Sequence, residues 1–216
     1  MLQAVLFDMD RLMFATEQVN TDCWYVAAGE LGITVTDDLL ASLRGTGVDR
    51  CRTIFNGRVP GNWYDTAWAL TLRHVDTYIE TQPAPIKPGL MEILSWLKAR
   101  NIPMVLATST ARPRAMKLLE RAGVTEYFSA VTFGTEVPNP KPAPDIFLAA
   151  AESVGADPSC CVVLEDSHNA LRAAKAAGCT AIVVPDLDPA PDAALGLWDH
   201  CVTRLDEAIP ILECLL

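Results

Sequence analysis

Apolar residues along the chain follow two different patterns, and the change between them falls near residue 84. From there onward, short apolar runs alternate with segments in which apolar residues recur at helical spacing. Repeated strand–helix units of this length predict a parallel sheet with helices on both faces. The predicted strands are 103–108, 130–133, 161–165, 181–184 and about 200–202, and the predicted helices are 89–100, 111–122, 144–154, 168–177 and about 206–214.

One more apolar run opens the chain, and it is followed by two carboxylates, Asp8 and Asp10. A run without polar alternation is typical of a buried strand in a parallel sheet. The residues between this strand and the prolines at 83, 85 and 88 show only helical patterns. We therefore predict an α/β fold: a doubly wound parallel sheet (a Rossmann-like core) formed by residues 1–16 and 84–216, with an inserted all-helical cap domain at 17–83.

Within the insert, the pattern predicts helices over about 17–31, 36–43, 48–55 and 63–80. The sequence Arg44-Gly45-Thr46-Gly47 indicates a break, and Asn56-Gly57 indicates a turn. Three tryptophans, at 24, 63 and 68, are available for a small hydrophobic core of this domain.

Composition excludes several classes of function. The chain has 216 residues, half of them apolar, and a net charge of −10, which argues against a nucleic-acid partner. No apolar run approaches the roughly 20 residues of a membrane span, and no basic region precedes the first apolar run. We expect a cytoplasmic protein without a membrane partner, either a monomer or a weak homodimer. Seven cysteines without a CxxC pair predict buried reduced thiols.

Polar residues with related chemistry follow several of the predicted strands, and one more lies in a proline-rich loop just before a helix. They are Asp8, Asp10, Thr108, Ser109, Glu165 and Asp166 at the strand ends, and Lys141 in the loop. Ligands of open α/β sheets bind outside the carboxyl ends of the strands, so these groups can converge. Several ionised carboxylates repel one another, and Mg²⁺ resolves this by binding carboxylates together with a phosphate.

The residue types suggest roles in phosphoryl transfer. Asp8 can attack phosphorus as a covalent nucleophile, and Asp10 is placed to protonate the leaving oxygen and later deprotonate water. Lys141 and Thr108 suit the charge of the transferring group. The backbone N–H of Ser109, predicted at a helix N-terminus, suits a phosphate oxygen. An ordinary helix cap remains an alternative for Thr108 and Ser109.

Four ordered segments, 7–10, 107–109, 141–145 and 164–167, resemble the motifs of the haloacid dehalogenase-like superfamily. The spacing is similar to that of its phosphatase branch with a helical cap inserted after the first motif. The resemblance implies that Asp8 is the nucleophile and a metal ligand, and that Asp10 is the acid/base and binds metal through its backbone carbonyl. It implies that Thr108, Ser109 and Lys141 hold the phosphoryl group. Asp166 would bind Mg²⁺, with Glu165 nearby, and the cap would close over the site.

The chain departs from this pattern at Arg11, where relatives usually have glycine, and at Ala15, where they usually have aspartate. An arginine at that turn either strains the backbone or places a guanidinium beside the phosphate. Together with Arg11, Thr16 and Arg44 are candidate substrate-contacting positions. For Arg44, a substrate contact and a surface role both remain open.

The predicted function is a Mg²⁺-dependent phosphatase of a small phosphorylated metabolite, such as a sugar phosphate, phosphoglycolate or a nucleotide-like monophosphate. One alternative is a phosphomutase resembling β-phosphoglucomutase. At the positions where such enzymes carry an arginine and a histidine, this chain has Val48 and Asn20, with Arg50 close by. The other alternative is a phosphometabolite-binding protein whose catalysis is weakened by Arg11.

Overall fold

The computed structural model describes residues 1–44, 46–187 and 189–216. Within these ranges, six strands form one parallel sheet in the order β3-β2-β1-β4-β5-β6. Its strands are β1 (Ala4–Phe7), β2 (Met104–Thr108), β3 (Ala130–Phe133), β4 (Cys161–Glu165), β5 (Thr180–Val183) and β6 (His200–Cys201). Every residue of β1, β2 and β4 is buried, which explains why these strands have no polar alternation.

The chain divides into a core unit, Met1–Ala15 with Ala84–Leu216, and a helical unit, Thr16–Pro83. The boundaries predicted from the sequence lie within one residue of this division. The helices are α1 (Thr16–Leu31), α2 (Asp37–Leu43), α3 (Val48–Arg58), α4 (Tyr64–Thr81), α5 (Leu90–Ala99), α6 (Arg112–Ala122), α7 (Asp145–Glu152), α8 (His168–Ala176) and α9 (Ile209–Glu213).

Strand order explains why the core unit is doubly wound. From β1 the chain moves through β2 to β3 on one side, and then returns to place β4, β5 and β6 on the other. Right-handed crossovers in opposite directions put α5 and α6 on one face and α7 and α8 on the other. The apolar residues of α7 and α8, including Phe147 and Leu171, join one buried cluster with β1 and β4.

The reversal of strand order occurs at β1, where open α/β sheets bind their ligands. In the register of the sheet, Phe7 lies beside Leu106 of β2 and Leu164 of β4. Asp8 is therefore the first residue after β1, and Glu165 is the last residue of β4. Both lie at the carboxyl edge of the sheet. Strand β1 ends at Phe7, so both aspartates of the opening segment lie beyond the last strand residue.

The helical unit has a hydrophobic core of its own. The ring of Trp24 lies 5.3 Å from that of Phe55 and 5.6 Å from that of Trp68, measured between centroids. Trp63 is partly buried against the same cluster. The predicted tryptophan core is confirmed.

Two predicted boundaries in the chain are wrong for identifiable reasons. Helix α3 continues through the Asn56-Gly57 turn signal to Arg58, because the Asn56 side chain accepts a hydrogen bond from the Tyr64 N–H at 3.1 Å. The predicted helix near 206–214 is a 3₁₀ turn from Leu205 to Ala208 followed by α9. Pro210 has no N–H to donate, so it suits the first turn of α9.

Four of the seven cysteines are buried, as predicted, but Cys201 and Cys214 are exposed and Cys160 is half-buried. All seven are free thiols. Among the described helices, none combines the length and apolar character needed to cross a bilayer.

Candidate active site

A single lysine connects the first and fourth strand ends. Lys141 Nζ lies 2.7 Å from Asp8 Oδ1 and 2.7 Å from Glu165 Oε1, and it also donates to the carbonyl of Ala107 at 3.4 Å. Burial would lower the pKa of Lys141, but the charges of Asp8 and Glu165 outweigh it and raise that pKa above its usual value. The two acidic side chains on either side of Lys141 therefore favour its charged form.

The second oxygen of Glu165 is fully used within the loop that follows β4. Oε2 accepts the backbone N–H of Asp166 at 2.8 Å and the N–H and hydroxyl of Ser167 at 3.0 and 3.2 Å. With Lys141 on Oε1, both oxygens are occupied, and the side chain is 1% exposed. This arrangement makes Glu165 an anchor for Lys141 and for the backbone of Asp166.

Asp8, Glu165 and Asp166 form an acidic cluster in which one carboxylate oxygen of each lies within 4.8 Å of the others. Burial, reinforced by the charge of Glu165, raises the pKa of Asp8 to about 8, although Lys141 lowers it. The same two causes raise the pKa of Asp166 to about 9, against the effect of Arg11. Burial is the larger cause of both shifts, and repulsion from Glu165 adds to it, so each carboxyl group favours its protonated form until a positive charge approaches.

Asp10 lies in the turn after β1, and its Oδ2 accepts a hydrogen bond from the Thr110 hydroxyl. The sequence reasoning did not include Thr110. Its backbone N–H also donates to the Thr108 hydroxyl at 3.0 Å, so one residue joins the buried end of β2 to Asp10. Three consecutive hydroxyl residues at 108–110 were the available signal.

Ser109 is exposed and directly follows β2. The prediction that it lies at a helix N-terminus is wrong. Helix α6 begins at Arg112, and its N-cap residue is Ala111. A Cβ on Gly134 would come within 3.2 Å of the Ser109 Cα, so glycine allows the segment after β3 to approach this loop closely. Thr108 is fully buried.

Arg11 adopts a left-handed backbone conformation, with φ of 64°. Its Nε lies 2.8 Å from Asp166 Oδ2, and the two side chains are only 15% and 5% exposed. The N–H of Arg11 donates to the carbonyl of Phe14 at 2.9 Å, which closes the turn. The backbone strain considered for Arg11 from the sequence is present, since its φ is positive. The guanidinium pairs with Asp166, a carboxylate of the acidic cluster.

These residues and their order along the chain match a known family. The model of the haloacid dehalogenase-like hydrolases matches residues 2–178. The chain belongs to this family.

Several relatives of this hydrolase have named activities. The phosphorylated carbohydrates phosphatase of Thermotoga maritima is 29% identical over 177 residues, covering 82% of each protein. Hexitol phosphatase B of Escherichia coli K12 is 28% identical over 208 residues, covering 94% of this chain and 93% of that protein. A Thermotoga maritima crystal structure, described as a candidate β-phosphoglucomutase, has a TM-score of 0.83 at 27% identity and covers 100% of both chains.

The predicted family and the predicted fold class are confirmed by these similarities. The predicted enzyme class, phosphoric monoester hydrolase, is confirmed by the family and its named phosphatases. The similarities do not assign individual residues, so the roles of Asp8, Asp10 and Lys141 rest on the geometry above.

The acidic cluster of this hydrolase fits a divalent cation. Carboxylate oxygens are the ligands that hard cations prefer, and a cation would relieve the repulsion among the three neighbouring carboxylates. Asp8 Oδ2 accepts no hydrogen bond from the described residues, which leaves an oxygen of this side chain for a ligand. Glu165, whose oxygens already have donors, suits indirect support better than direct coordination.

Two of the predicted substrate positions, Thr16 and Arg44, belong to the helical unit. Arg44 lines a cavity of about 190 Å³ within that unit, together with Asn20, Trp24 and Trp68. Arg44 Nε and Asn20 Oδ1 are buried, and neither has a hydrogen-bond partner among the described residues. The neighbouring Gly45, part of the predicted break, lies outside the described residues.

Proposed function

We propose that this hydrolase is a Mg²⁺-dependent phosphatase of a small phosphorylated sugar, and that it acts through a phosphoryl group carried on Asp8. The observation that carries the proposal is the position of Lys141 between Asp8 and Glu165. This contact keeps a buried aspartate beside a fixed positive charge, at the sheet edge where ligands of such folds bind.

In the first step, Asp8 Oδ2 forms a bond to phosphorus, the ester P–O bond breaks, and the leaving oxygen takes a proton from Asp10. In the second step, Asp10 removes a proton from water, whose oxygen attacks phosphorus and releases Asp8 and inorganic phosphate. A divalent cation at the acidic cluster would supply charge neutralisation for the phosphoryl oxygens. Lys141 contributes positive charge beside the attacking carboxylate in both steps.

Thr110 suits the positioning of the acid. Because its hydroxyl donates to Asp10 Oδ2, this oxygen is occupied and the other one is left to exchange the proton. Thr108 and the exposed Ser109, at the end of β2, are proposed to bind the phosphoryl group through their hydroxyl and N–H groups.

The substrate class rests on two observations. The relatives described above are named for phosphorylated carbohydrates and hexitols. In the helical unit, Arg44 and Asn20 line one cavity, and the buried Arg44 Nε and Asn20 Oδ1 have no hydrogen-bond partner among the described residues. A hydroxyl group is both donor and acceptor, so a sugar satisfies both atoms, whereas an apolar group satisfies neither.

The test is phosphate release from a panel of phosphorylated sugars, phosphoglycolate and nucleoside monophosphates, with Mg²⁺ and with EDTA. We expect release from sugar phosphates that requires Mg²⁺ and stops in EDTA. Conversion of glucose 1-phosphate to glucose 6-phosphate without net release would instead support a phosphomutase. Binding of metal and substrate without turnover would support a phosphometabolite-binding protein.

Replacing Arg44 with alanine tests the sugar cavity. We expect the KM for the preferred sugar phosphate to rise by about ten-fold or more, because a hydrogen bond to a charged donor is lost. Turnover of p-nitrophenyl phosphate, which has no sugar hydroxyls, should change little. Steady-state kinetics on both substrates measure the difference.

Arg73 provides the matched control, because it is an exposed arginine on α4 of the same unit. Replacing Arg73 with alanine should leave the kinetics on both substrates unchanged. Equal losses on the two substrates in the Arg44 variant would contradict a role in sugar recognition.

A further inference from the structure

The backbone at Arg11 is strained in a way that a glycine would not be. A φ of 64° lies in the left-handed region, which disfavours L-residues with a Cβ by about 1–2 kcal/mol. Arginine gains nothing locally from this conformation, since it has no short side chain that bonds its own backbone. A compensating contact is therefore needed, and the structure contains one at the far end of the side chain.

That contact is the ion pair with Asp166. The Nε–Oδ2 distance of 2.8 Å and the small exposure of both side chains describe a well-formed pair in a largely water-excluded position. Charge pairs in such surroundings are screened by salt much less than surface pairs. Burial and Glu165 raise the pKa of Asp166, and Arg11 opposes that rise, as expected for a guanidinium that favours the charged carboxylate.

Asp166 is also one of the three carboxylates whose oxygens lie within 4.8 Å of one another. The Arg11 guanidinium therefore binds Asp166 Oδ2 at the cluster where the proposed metal needs oxygen ligands. The effect is also electrostatic, because Arg11 adds one positive charge to a site that attracts a cation through its negative charge.

We propose that Arg11 competes with the divalent cation for Asp166 and so raises the metal concentration at which the site fills. This inference rests on the proposed metal-dependent function and adds to it a residue that sets metal affinity. An arginine in the place of glycine then gives an active site that loads fully only when Mg²⁺ is abundant, with the guanidinium neutralising part of the cluster otherwise.

The test is the dissociation constant for Mg²⁺, measured by isothermal titration calorimetry without substrate. We expect Arg11→Gly and Arg11→Asn to bind Mg²⁺ about ten-fold more tightly than the wild type, the range in which groups around metal ligands act. Asparagine tolerates the left-handed region and carries no charge, so it separates loss of the guanidinium from relief of strain. Arg11→Lys, which keeps the charge, should stay nearer the wild type.

Two controls locate the effect. Arg172→Asn removes an exposed positive charge from α8 and should leave the dissociation constant unchanged. Adding Asp166→Asn to Arg11→Gly should abolish the tight binding. Unchanged affinity in Arg11→Gly, or tightening in Arg11→Gly without tightening in Arg11→Asn, would overturn the competition.

Phosphate release measured on the same proteins separates the two proposals. Tighter Mg²⁺ binding by the variants without turnover of any phosphorylated substrate would overturn the proposed phosphatase and leave the competition standing. Turnover by the wild type with no shift in Mg²⁺ affinity among the variants would overturn the competition alone.

Discussion

Asp8→Asn is expected to stop phosphate release, with a fall in turnover of at least about a thousand-fold, because the nucleophile is lost. The amide can still accept the hydrogen bond from Lys141 that Asp8 Oδ1 accepts at 2.7 Å. It cannot form a stable bond to the transferred phosphoryl group. Folding should be preserved, since burial already raises the pKa of Asp8 to about 8 and a neutral side chain suits that position.

The covalent step can be measured separately from release. Wild-type protein denatured in acid during turnover of a phosphate-labelled substrate should retain label, and the Asp8→Asn protein should retain none. Asp49→Asn is the matched control, because this aspartate is 98% exposed on its side chain and lies in the helical unit. Wild-type rates in Asp8→Asn, or label retained on it, would remove Asp8 from the mechanism.

Much of this site is predictable from the sequence because parallel strands impose it. Once residues 4–7 and 161–165 are recognised as buried neighbouring strands, the carboxylates after them must lie at one edge. Lys141 could be assigned to the same site from the sequence, because it lies in a loop just before a predicted helix of the core unit. Strand ends restrict position strongly, so Asp8, Lys141, Glu165 and Asp166 come together as expected.

Partners between distant side chains could not be predicted in the same way. Thr110 and Asp10 are 100 residues apart in the chain, and their hydrogen bond depends on side-chain rotamers that no periodicity reveals. The pairing of Arg11 with Asp166 likewise requires knowledge of the direction in which a strained turn points its side chain. Sequence identified Arg11 as unusual, whereas its partner came from the structure.

Local turn signals were the least dependable guide, and Asn56 shows the physical reason. Asparagine favours turns when its side chain bonds a nearby backbone group. In this protein, that side chain instead accepts the N–H of Tyr64 at the first turn of α4, eight residues further on. A tertiary contact thus uses the group that would otherwise have ended α3.

Lys141→Met is expected to cause the largest combined loss of stability and turnover, because it removes the positive charge between two buried carboxylates. Breaking a buried pair by deleting one partner typically destabilises a protein by about 3–5 kcal/mol. Turnover should fall as well, since the charge beside the attacking carboxylate is gone. Denaturant unfolding in EDTA measures the stability, and phosphate release with Mg²⁺ measures the activity.

The direction of the pH dependence follows from the carboxylates that remain. Without Lys141, the pKa of Asp8 rises further, because the lysine is what lowers it in the wild type. A folded-state pKa above the unfolded value means that stability falls as pH rises between the two. The variant should therefore lose more stability relative to the wild type at pH 9 than at pH 6, because unfolding then releases a proton that folded Asp8 still holds.

Lys175→Met is the matched control for this prediction, because Lys175 also pairs with a carboxylate, at 2.8 Å from Asp199. That pair is about one-third exposed on each side chain, with 35% and 37% of their surfaces accessible. Water and salt weaken such a pair, so its loss should change stability by no more than about 1 kcal/mol. Equal destabilisation by the two variants, or a Lys141→Met protein equally stable at both pH values, would contradict the view that burial makes Lys141 the counter-charge of the site.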